Sequence, residues 1–410
     1  MSLPSVKDAP WFKAPATQAV FAALNKDGAE TRIVGGAVRN GLMGLNVAEV
    51  DFASTAEPEQ VVKLAEAAGL KAVPTGLEHG TVTVVTDGVG HEVTTLREDV
   101  ETDGRHATVR FTTDWAADAS RRDFTLNALY ADADGTVHDP LGGYEDLEAG
   151  RIRFIGDPAA RIAEDYLRIL RFFRFFAIYG KGTIDADGLS ACVRLRDGLD
   201  GLSAERVWGE MKRLLVAPRA KEVVGLLYDY GLLPQILGSA PRLPQFDRLA
   251  EIEAVVGAAP NAALRLAALA VYVEDDLERL TERFRLSNAE SAVLEEVVDV
   301  LQIEKAPDEA TGKHLLYRLG PDSYRRRVLT TWMEEGAAPD DDAWTAAYEL
   351  PDRWQAPEFP LKGEDVMAMG VPSGPQVGRI LRVVERTWIE AGFEGEREVL
   401  LKQAEAASKA

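Results

Sequence analysis

Ile33-Val-Gly-Gly-Ala-Val-Arg-Asn40, followed a few residues later by Glu49-Val-Asp-Phe-Ala-Ser54, decides what kind of head this chain builds. Gly35-Gly36 turns the chain and leaves backbone N–H groups open toward a phosphate, because glycine puts no Cβ in the way. Arg39 follows one helical turn on and can pair with the same anion. Read as a strand, Glu49 and Asp51 stand two residues apart and share one face. Carboxylates converging there repel unless a cation lies between them, and Mg²⁺ prefers oxygen ligands. Glu92, on a later apparent strand, is a third ligand or orients the other two. Phosphate held beside carboxylate-bound metal is the layout for nucleotidyl transfer, in which one metal activates the attacking hydroxyl and another neutralises the leaving pyrophosphate. Each feature alone has a plainer reading, since Gly-Gly turns are common and a Glu-x-Asp pair is usually a solvated strand face. Their order and spacing together are more specific.

Outward from this stretch the sequence has two textures. Up to about residue 150, short runs rich in Val and Thr alternate with Gly and Asp turns, which reads as mixed α/β. Thr81-Val-Thr-Val-Val-Thr86 and His91-Glu-Val-Thr-Thr-Leu96 are expected strands joined by Asp87-Gly-Val-Gly90, and 58–68 is an expected helix. Beyond Asp157-Pro158 the spacing is helical, most clearly over 160–177 and 203–215. Ser203 is placed to cap the second of these, with Glu205 in its first turn favoured by the helix dipole. From about Gln245 the chain is helical and acidic, punctuated by prolines such as Pro351 and Pro375.

A length of 410 residues exceeds what one core usually supports, so more than one domain is expected. No apolar run of membrane-spanning length occurs. The start, Met1-Ser-Leu-Pro, lacks the blocks of a signal peptide, and Cys192 is the single cysteine, so a reducing cytoplasm is expected. The formal net charge of −21 argues against nucleic acid at first sight. Its distribution changes that, because from Arg151 to Ala240 there are 14 Lys and Arg against 11 Asp and Glu. A basic segment in an acidic chain can hold RNA over a limited surface, although a solvated helical face of mixed charge has the same composition.

Gly35-Gly-Ala-Val-Arg39, Glu49-Val-Asp51, Glu92-Val-Thr-Thr-Leu-Arg97 and Arg121-Arg-Asp-Phe-Thr-Leu-Asn-Ala128 resemble, in order, the class II CCA-adding enzymes and the related bacterial poly(A) polymerases. Glu164-Asp-Tyr-Leu-Arg-Ile-Leu-Arg171, Ser203-Ala-Glu-Arg206 and Gly374-Pro-Gln-Val-Gly378 continue the resemblance. It implies a polymerase-β-like nucleotidyltransferase head over 1–150, a helical neck with a nucleotide-selecting helix over 151–240, and a helical body and tail that bind tRNA over 241–410. It implies CTP and ATP as substrates, tRNA as partner, two Mg²⁺ ions, no membrane and no obligate protein partner. Glu49, Asp51 and Glu92 take the catalytic positions, the first two on metal. Gly35, Gly36, Arg39, Arg122, Asp123, Asn127, Asp165, Arg168 and Arg171 take the nucleotide-binding positions, with Asp123 near the ribose hydroxyls. The family pattern has Asp where this chain has Glu49. One extra methylene moves that carboxylate by about 1.5 Å, and displacements of ~1 Å can cost roughly 10²-fold in rate. A native variant with a compensating backbone is the expected reading, with a weakened enzyme as its alternative.

Asp165 and Arg168, at i and i+3 on an expected helix, face the same way. Cytosine and adenine each present an amine donor beside a ring-nitrogen acceptor, whereas guanine and uracil present the reverse. An Asp acceptor beside an Arg donor therefore fits C and A, and the family uses this helix in that way. Without the resemblance the pair reads as an ordinary helical salt bridge. Arg97 to Ala107 is too charged to pack and too long for a hairpin turn, so a mobile loop is expected; the resemblance makes Arg97, Asp99, Arg105 and His106 part of a flexible loop that reshapes the pocket from C to A. Such a loop favours full CCA or A-only addition. Arg171, Arg174, Arg194, Arg196, Lys212 and Arg213 are expected along the acceptor-stem phosphates, and Phe172, Phe173, Phe175 and Phe176 in the core. No basic Gly-Arg-Arg-Phe-like element follows Asp51, which argues against a poly(A) polymerase. Glu49 leaves a non-catalytic RNA-binding homologue as the alternative of another class.

Overall fold

The computed structural model describes residues 3–76, 80–103, 106–298 and 305–409. They form two compact units, residues 1–241 with 283–285, and residues 242–282 with 286–410.

The first unit is built on a mixed seven-stranded sheet ordered β3-β4-β5-β2-β1-β8-β9. Its strands are β1 (Thr31–Val34), β2 (Phe52–Ser54), β3 (Lys71–Gly76), β4 (Thr81–Thr86), β5 (Val89–Thr95), β8 (Tyr130–Ala131) and β9 (Val137–His138). β6 (Arg97–Asp103) and β7 (His106–Phe111) pair separately as a ribbon. β2 and β5 are parallel, and the other pairings are antiparallel. Alternation sets the faces, so that Val82, Val84 and Thr86 of β4 point into the core while their neighbours do not. The β4–β5 turn places Asp87 and Gly88 at φ of +50° and +79°, the left-handed pair a two-residue hairpin needs. β2 begins at Phe52, so Glu49 and Asp51 lie in the lead-in to it rather than within the expected strand.

The expected helix over 160–177 is two helices, Pro158–Glu164 and Leu167–Tyr179. The break is at Asp165, whose backbone is extended (φ −157°, ψ 105°) and whose Oδ1 accepts the Leu167 N–H at 3.1 Å. A short carboxylate that satisfies the new helix's first turn competes with helical continuation, as aspartate does at caps. Tyr166 fills the corner against Gly198, where a Cβ would lie 1.9 Å from its ring. The second helix buries Phe172, Phe173, Phe175 and Phe176, as its spacing implied. Phe154 stacks on Phe172 at 5.3 Å, and Phe124 meets Phe154 at 4.9 Å and Phe175 at 5.0 Å. Each buried ring is worth about 1.5–3 kcal/mol, so this cluster welds the helix to the strand-and-loop layer. Ser203 does stand at the N-cap of Ala204–Leu215, but its hydroxyl makes no capping bond.

In the second unit, the described residues form helices, three of them started by an Asp or Asn side-chain cap at Asn261, Asp308 and Asp341. Pro375 opens the helix Pro375–Glu390 and does not break one, since its missing N–H costs nothing at the first helical position. Trp332 and Trp344 stack at 6.0 Å in one core, and Trp388 with Ile380, Val384 and Leu400 forms another. Among the described residues no helix is long and apolar enough to cross a membrane.

Candidate active site

A cavity of about 630 Å³ lies within the first unit. Nine arginines and four carboxylates line it, and most of the residues singled out in the sequence meet there. Gly35 and Gly36 form one wall. Gly35 has φ +66° and ψ −116°, a conformation that strains any residue with a Cβ. It donates to the Leu129 carbonyl at 3.0 Å and opens the helix Gly36–Leu42. Arg39, one turn on, is buried and committed to internal partners. It bonds Asn127, the Tyr179 hydroxyl at 2.8 Å and Asn40 at 3.1 Å, with its guanidinium 4.3 Å over the Tyr179 ring. Burial lowers its pKa, partly offset by Tyr179. Arg39 therefore braces the glycine turn against the aromatic helix.

Asp51 and Glu92 line the cavity from β2's lead-in and from β5. Although solvent reaches Asp51, the surrounding protein, then Glu92 and Glu49, raise its carboxyl to about 6. Glu49 is exposed and is not among the lining residues, but its charge is felt at Asp51.

Arg122 donates to Asp118 at 2.9 Å and to the Tyr130 hydroxyl at 3.1 Å, while Arg121 takes the other Asp118 oxygen at 3.0 Å. Burial alone would raise the Asp118 pKa, but Arg122 and Arg121 bring it below the usual value. Asp118 was not among the sequence-derived candidates. Its spacing of three and four residues before two arginines is the signal that marks it. Asp123 fares similarly on the other side. Its Oδ1 accepts the Phe124 N–H at 2.9 Å and the Asn127 amide at 2.8 Å, and its Oδ2 accepts Arg171 through Nε and Nη2 at 2.8 and 2.6 Å. Burial opposes its ionisation, yet Arg171 and Asn127 bring it down to about 2. With four donors its acceptor sites are full, so contact with ribose hydroxyls needs a partner to leave.

Arg171 also approaches Glu210 at 3.6 Å, and the buried Glu210 pairs with Arg174. Arg171 and Arg174, expected along an RNA backbone, are thus neutralised inside the fold, whereas Arg194, Arg196, Lys212 and Arg213 are exposed. Glu210 had no local signal, because its partners lie 36 or more residues away.

Asp165 and Arg168 both line the cavity, without forming the simple helical salt bridge. Asp165 Oδ2 is held by Arg206 at 2.7 Å, and Arg168 donates to the Arg161 carbonyl at 2.7 Å and to Glu164. The segment expected as a loop is the β6–β7 ribbon, paired from Arg97↔Phe111 to Asp103↔His106 with a shift of register between Asp99 and Glu101. Arg110 pairs with Glu98 across the strands. Arg97 lines the cavity. Asp99 and His106 lie on the ribbon's backbone; their side chains, and Arg105 altogether, fall outside the described residues.

Comparison with known proteins adds to this geometry. Residues 31–153 match the family described as "Poly A polymerase head domain", and residues 183–246 that described as "Probable RNA and SrmB- binding site of polymerase A". The chain is 36% identical to "CCA tRNA nucleotidyltransferase 1, mitochondrial" of Homo sapiens, over 92% of this chain and 86% of the relative. It is 32% identical to the "CCA-adding enzyme" of Geobacillus thermodenitrificans, over 94% and 96% of the two chains. Its fold is similar to that of the Bacillus stearothermophilus CCA-adding enzyme solved in complex with CTP, with a TM-score of 0.71, 28% identity and coverage of 96% and 97%.

Proposed function

The chain belongs to the family of CCA-adding tRNA nucleotidyltransferases, and from that premise we propose how its arginine-walled cavity works. The protein is a template-independent enzyme that adds C, C and A to tRNA 3′ ends from CTP and ATP. The carrying observation is that the acidic pair Asp51 and Glu92, the Gly35-Gly36 turn and the Asp165–Arg168 pair share one cavity within one unit.

Asp51 is assigned to hold Mg²⁺, with Glu49 and Glu92 beside it. The donor set fits: all are carboxylate oxygens, and a cation favours the charged form of Asp51, which the surrounding protein and then Glu92 and Glu49 disfavour, raising it to about 6. Among the described residues no three His, Cys, Asp or Glu side chains form a cage of their own. That suits Mg²⁺, which usually binds one or two carboxylates and completes its shell with water and substrate phosphates. Bound there, Mg²⁺ supplies activation of the tRNA 3′-hydroxyl and neutralisation of the departing pyrophosphate.

The protein's own groups do the selecting and holding. The turn at Gly35-Gly36 and the guanidinium of Arg122 meet the triphosphate, with Arg122 aimed by Asp118 and Tyr130. Asp123 and Asn127 organise this wall and hold Arg171 in place. Asp165 accepts from the exocyclic amine of cytosine or adenine, and Arg168 donates to the adjacent ring nitrogen. Arg206 on one oxygen and the Leu167 N–H on the other keep the Asp165 carboxylate from swinging. Guanine or uracil would leave these groups unpaired at about 1–3 kcal/mol each. The β6–β7 ribbon is assigned to the change from C to A addition, through Arg97 at its base. We place the reaction in the cytoplasm, a reducing compartment that suits a lone buried Cys192.

Incubating the purified protein with Mg²⁺, tRNA lacking CCA, and labelled CTP and ATP tests the whole reading. Two CMP and one AMP per tRNA are expected. Extension of arbitrary RNA ends with ATP alone would mean a poly(A) polymerase. Extension only of tRNA ending in CC would mean an A-adding enzyme, and tRNA binding without turnover a non-catalytic homologue.

A further inference from the structure

His91 is buried against the segment that carries Glu49 and Asp51, and none of the steps above uses it. It is 3% exposed. Strand alternation on β5 sends His91, Val93 and Thr95 into the core and puts Glu92 and Thr94 on the cavity wall. The His91 ring meets the Phe52 ring edge-on at 5.6 Å and 86°. Its Nδ1 lies 3.1 Å from the carbonyl oxygen of Val50, the residue between Glu49 and Asp51. A carbonyl only accepts, so Nδ1 carries the proton and donates. Nε2 is buried and has no hydrogen-bond partner, and a proton there would leave an unpaired N–H in the core. An apolar ring of similar size would fill this place without an orphan ring nitrogen, but it would take this donor away from the buried Val50 carbonyl. The bond to Val50 is what histidine adds.

We propose that His91 is a positioning residue that fixes the acidic lead-in to β5 and thereby sets the divalent-cation affinity of the site. The lead-in needs such ties, because the β2 ladder begins only at Phe52. On one side the Asp51 carbonyl accepts the Val34 N–H at 2.9 Å. On the other, His91 holds the Val50 carbonyl, and the next residue on the same strand is Glu92. One imidazole thus couples the backbone under Asp51 and Glu49 to the strand that presents the opposing carboxylate. It also supplies a backbone restraint at the position where the chain carries the longer Glu49. The inference rests on the metal role proposed for those carboxylates.

The test compares wild-type protein with His91→Asn, whose amide nitrogen takes the place of Nδ1, and His91→Leu, which keeps bulk and loses the donor. Mn²⁺ binding is measured on the full-length protein by electron paramagnetic resonance with CTP present, and CTP binding is measured separately in chelator. His91→Leu is expected to weaken Mn²⁺ by about 10-fold or more, the usual cost of removing an orienting partner behind a metal ligand. His91→Asn is expected to stay within about threefold of wild type, with CTP binding in chelator unchanged in both. The ¹⁵N spectrum of wild-type protein should show the Nδ1–H tautomer for His91. Equal Mn²⁺ affinity in His91→Leu and wild type, equal loss in both variants, or an Nε2–H tautomer would overturn the proposal. Should His91→Leu not fold, the Asn variant and the wild-type spectrum still decide. Failure of the wild-type protein itself to bind Mn²⁺ would instead remove the metal reading beneath it.

Discussion

Two aspartates on the same cavity are held in opposite electrostatic states. Asp123 faces Arg171, Asn127 and a backbone N–H and is drawn down to about 2, whereas Asp51, which solvent still reaches, is raised to about 6 by the protein around it and by Glu92 and Glu49. A carboxyl whose folded pKa lies above its unfolded value favours the folded state most at low pH, and that advantage is lost as pH rises through the folded value. Metal-free protein at neutral pH therefore carries a strain at Asp51 that neutralisation removes. Asp51→Asn should raise the melting temperature of metal-free protein at pH 7.5, with the difference from wild type vanishing near pH 4. Added Mg²⁺ should stabilise wild type and not the variant, and the variant's nucleotide incorporation should fall by more than roughly 10²-fold. Paired melting curves at the two pH values, with and without Mg²⁺, check this; no gain at pH 7.5 would show that Asp51 is not strained. Both aspartates stood out in the sequence because their motifs are local. Their opposite charge states did not, since Arg171 reaches Asp123 from 48 residues away.

The same divide between local and distant information holds for elements. The β4–β5 hairpin and the aromatic helix were legible, one from Val/Thr alternation with an Asp-Gly turn, the other from phenylalanines crowded on several faces. The break at Asp165 was not, because 3.6-residue periodicity runs through it and only the side-chain cap on Leu167 ends the first helix. Nor was the β6–β7 ribbon, whose charged strands lack an apolar face and whose pairing outweighed that polarity. The break turns Asp165 toward the cavity, and Glu210 on the helix Ala204–Leu215 clamps Arg171 and Arg174 on the helix that follows it. These elements should fail differently. Asp165→Ala removes a base-reading acceptor, so misincorporation of UMP or GMP should rise by about 10-fold or more while tRNA affinity stays within about twofold. Glu210→Leu leaves Arg174 buried without its partner and should lower stability by about 3 kcal/mol. It should raise KM for CTP and ATP together and leave their ratio unchanged. Steady-state kinetics with all four nucleotides, alongside chemical denaturation, separates the two. Equal loss of tRNA affinity and selectivity in Asp165→Ala would count against base reading.

For the whole molecule the governing fact is a basic cavity in an acidic chain. A net charge of −21 repels RNA at long range, while nine arginines against four carboxylates line the site that receives a nucleotide, with Arg194, Arg196, Lys212 and Arg213 exposed in the same unit. Salt weakens both effects, so its net influence on tRNA binding shows which one dominates. At 0.1 M salt the Debye length is about 10 Å, so charges spread over the remaining surface are already screened and direct phosphate contacts decide. Four such contacts give a slope near −0.9 per contact in log K against log salt, and roughly 10²-fold weaker binding between 50 and 200 mM. CTP, engaging fewer phosphates, should weaken several times less. Titrating labelled tRNA and CTP separately over that range measures both slopes. Replacing Arg194 and Lys212, which are exposed and do not line the cavity, with alanine should flatten the tRNA slope by about two contacts and leave the CTP slope unchanged. A tRNA affinity that rose with salt would mean that the chain's overall charge, not its basic patch, controls the encounter.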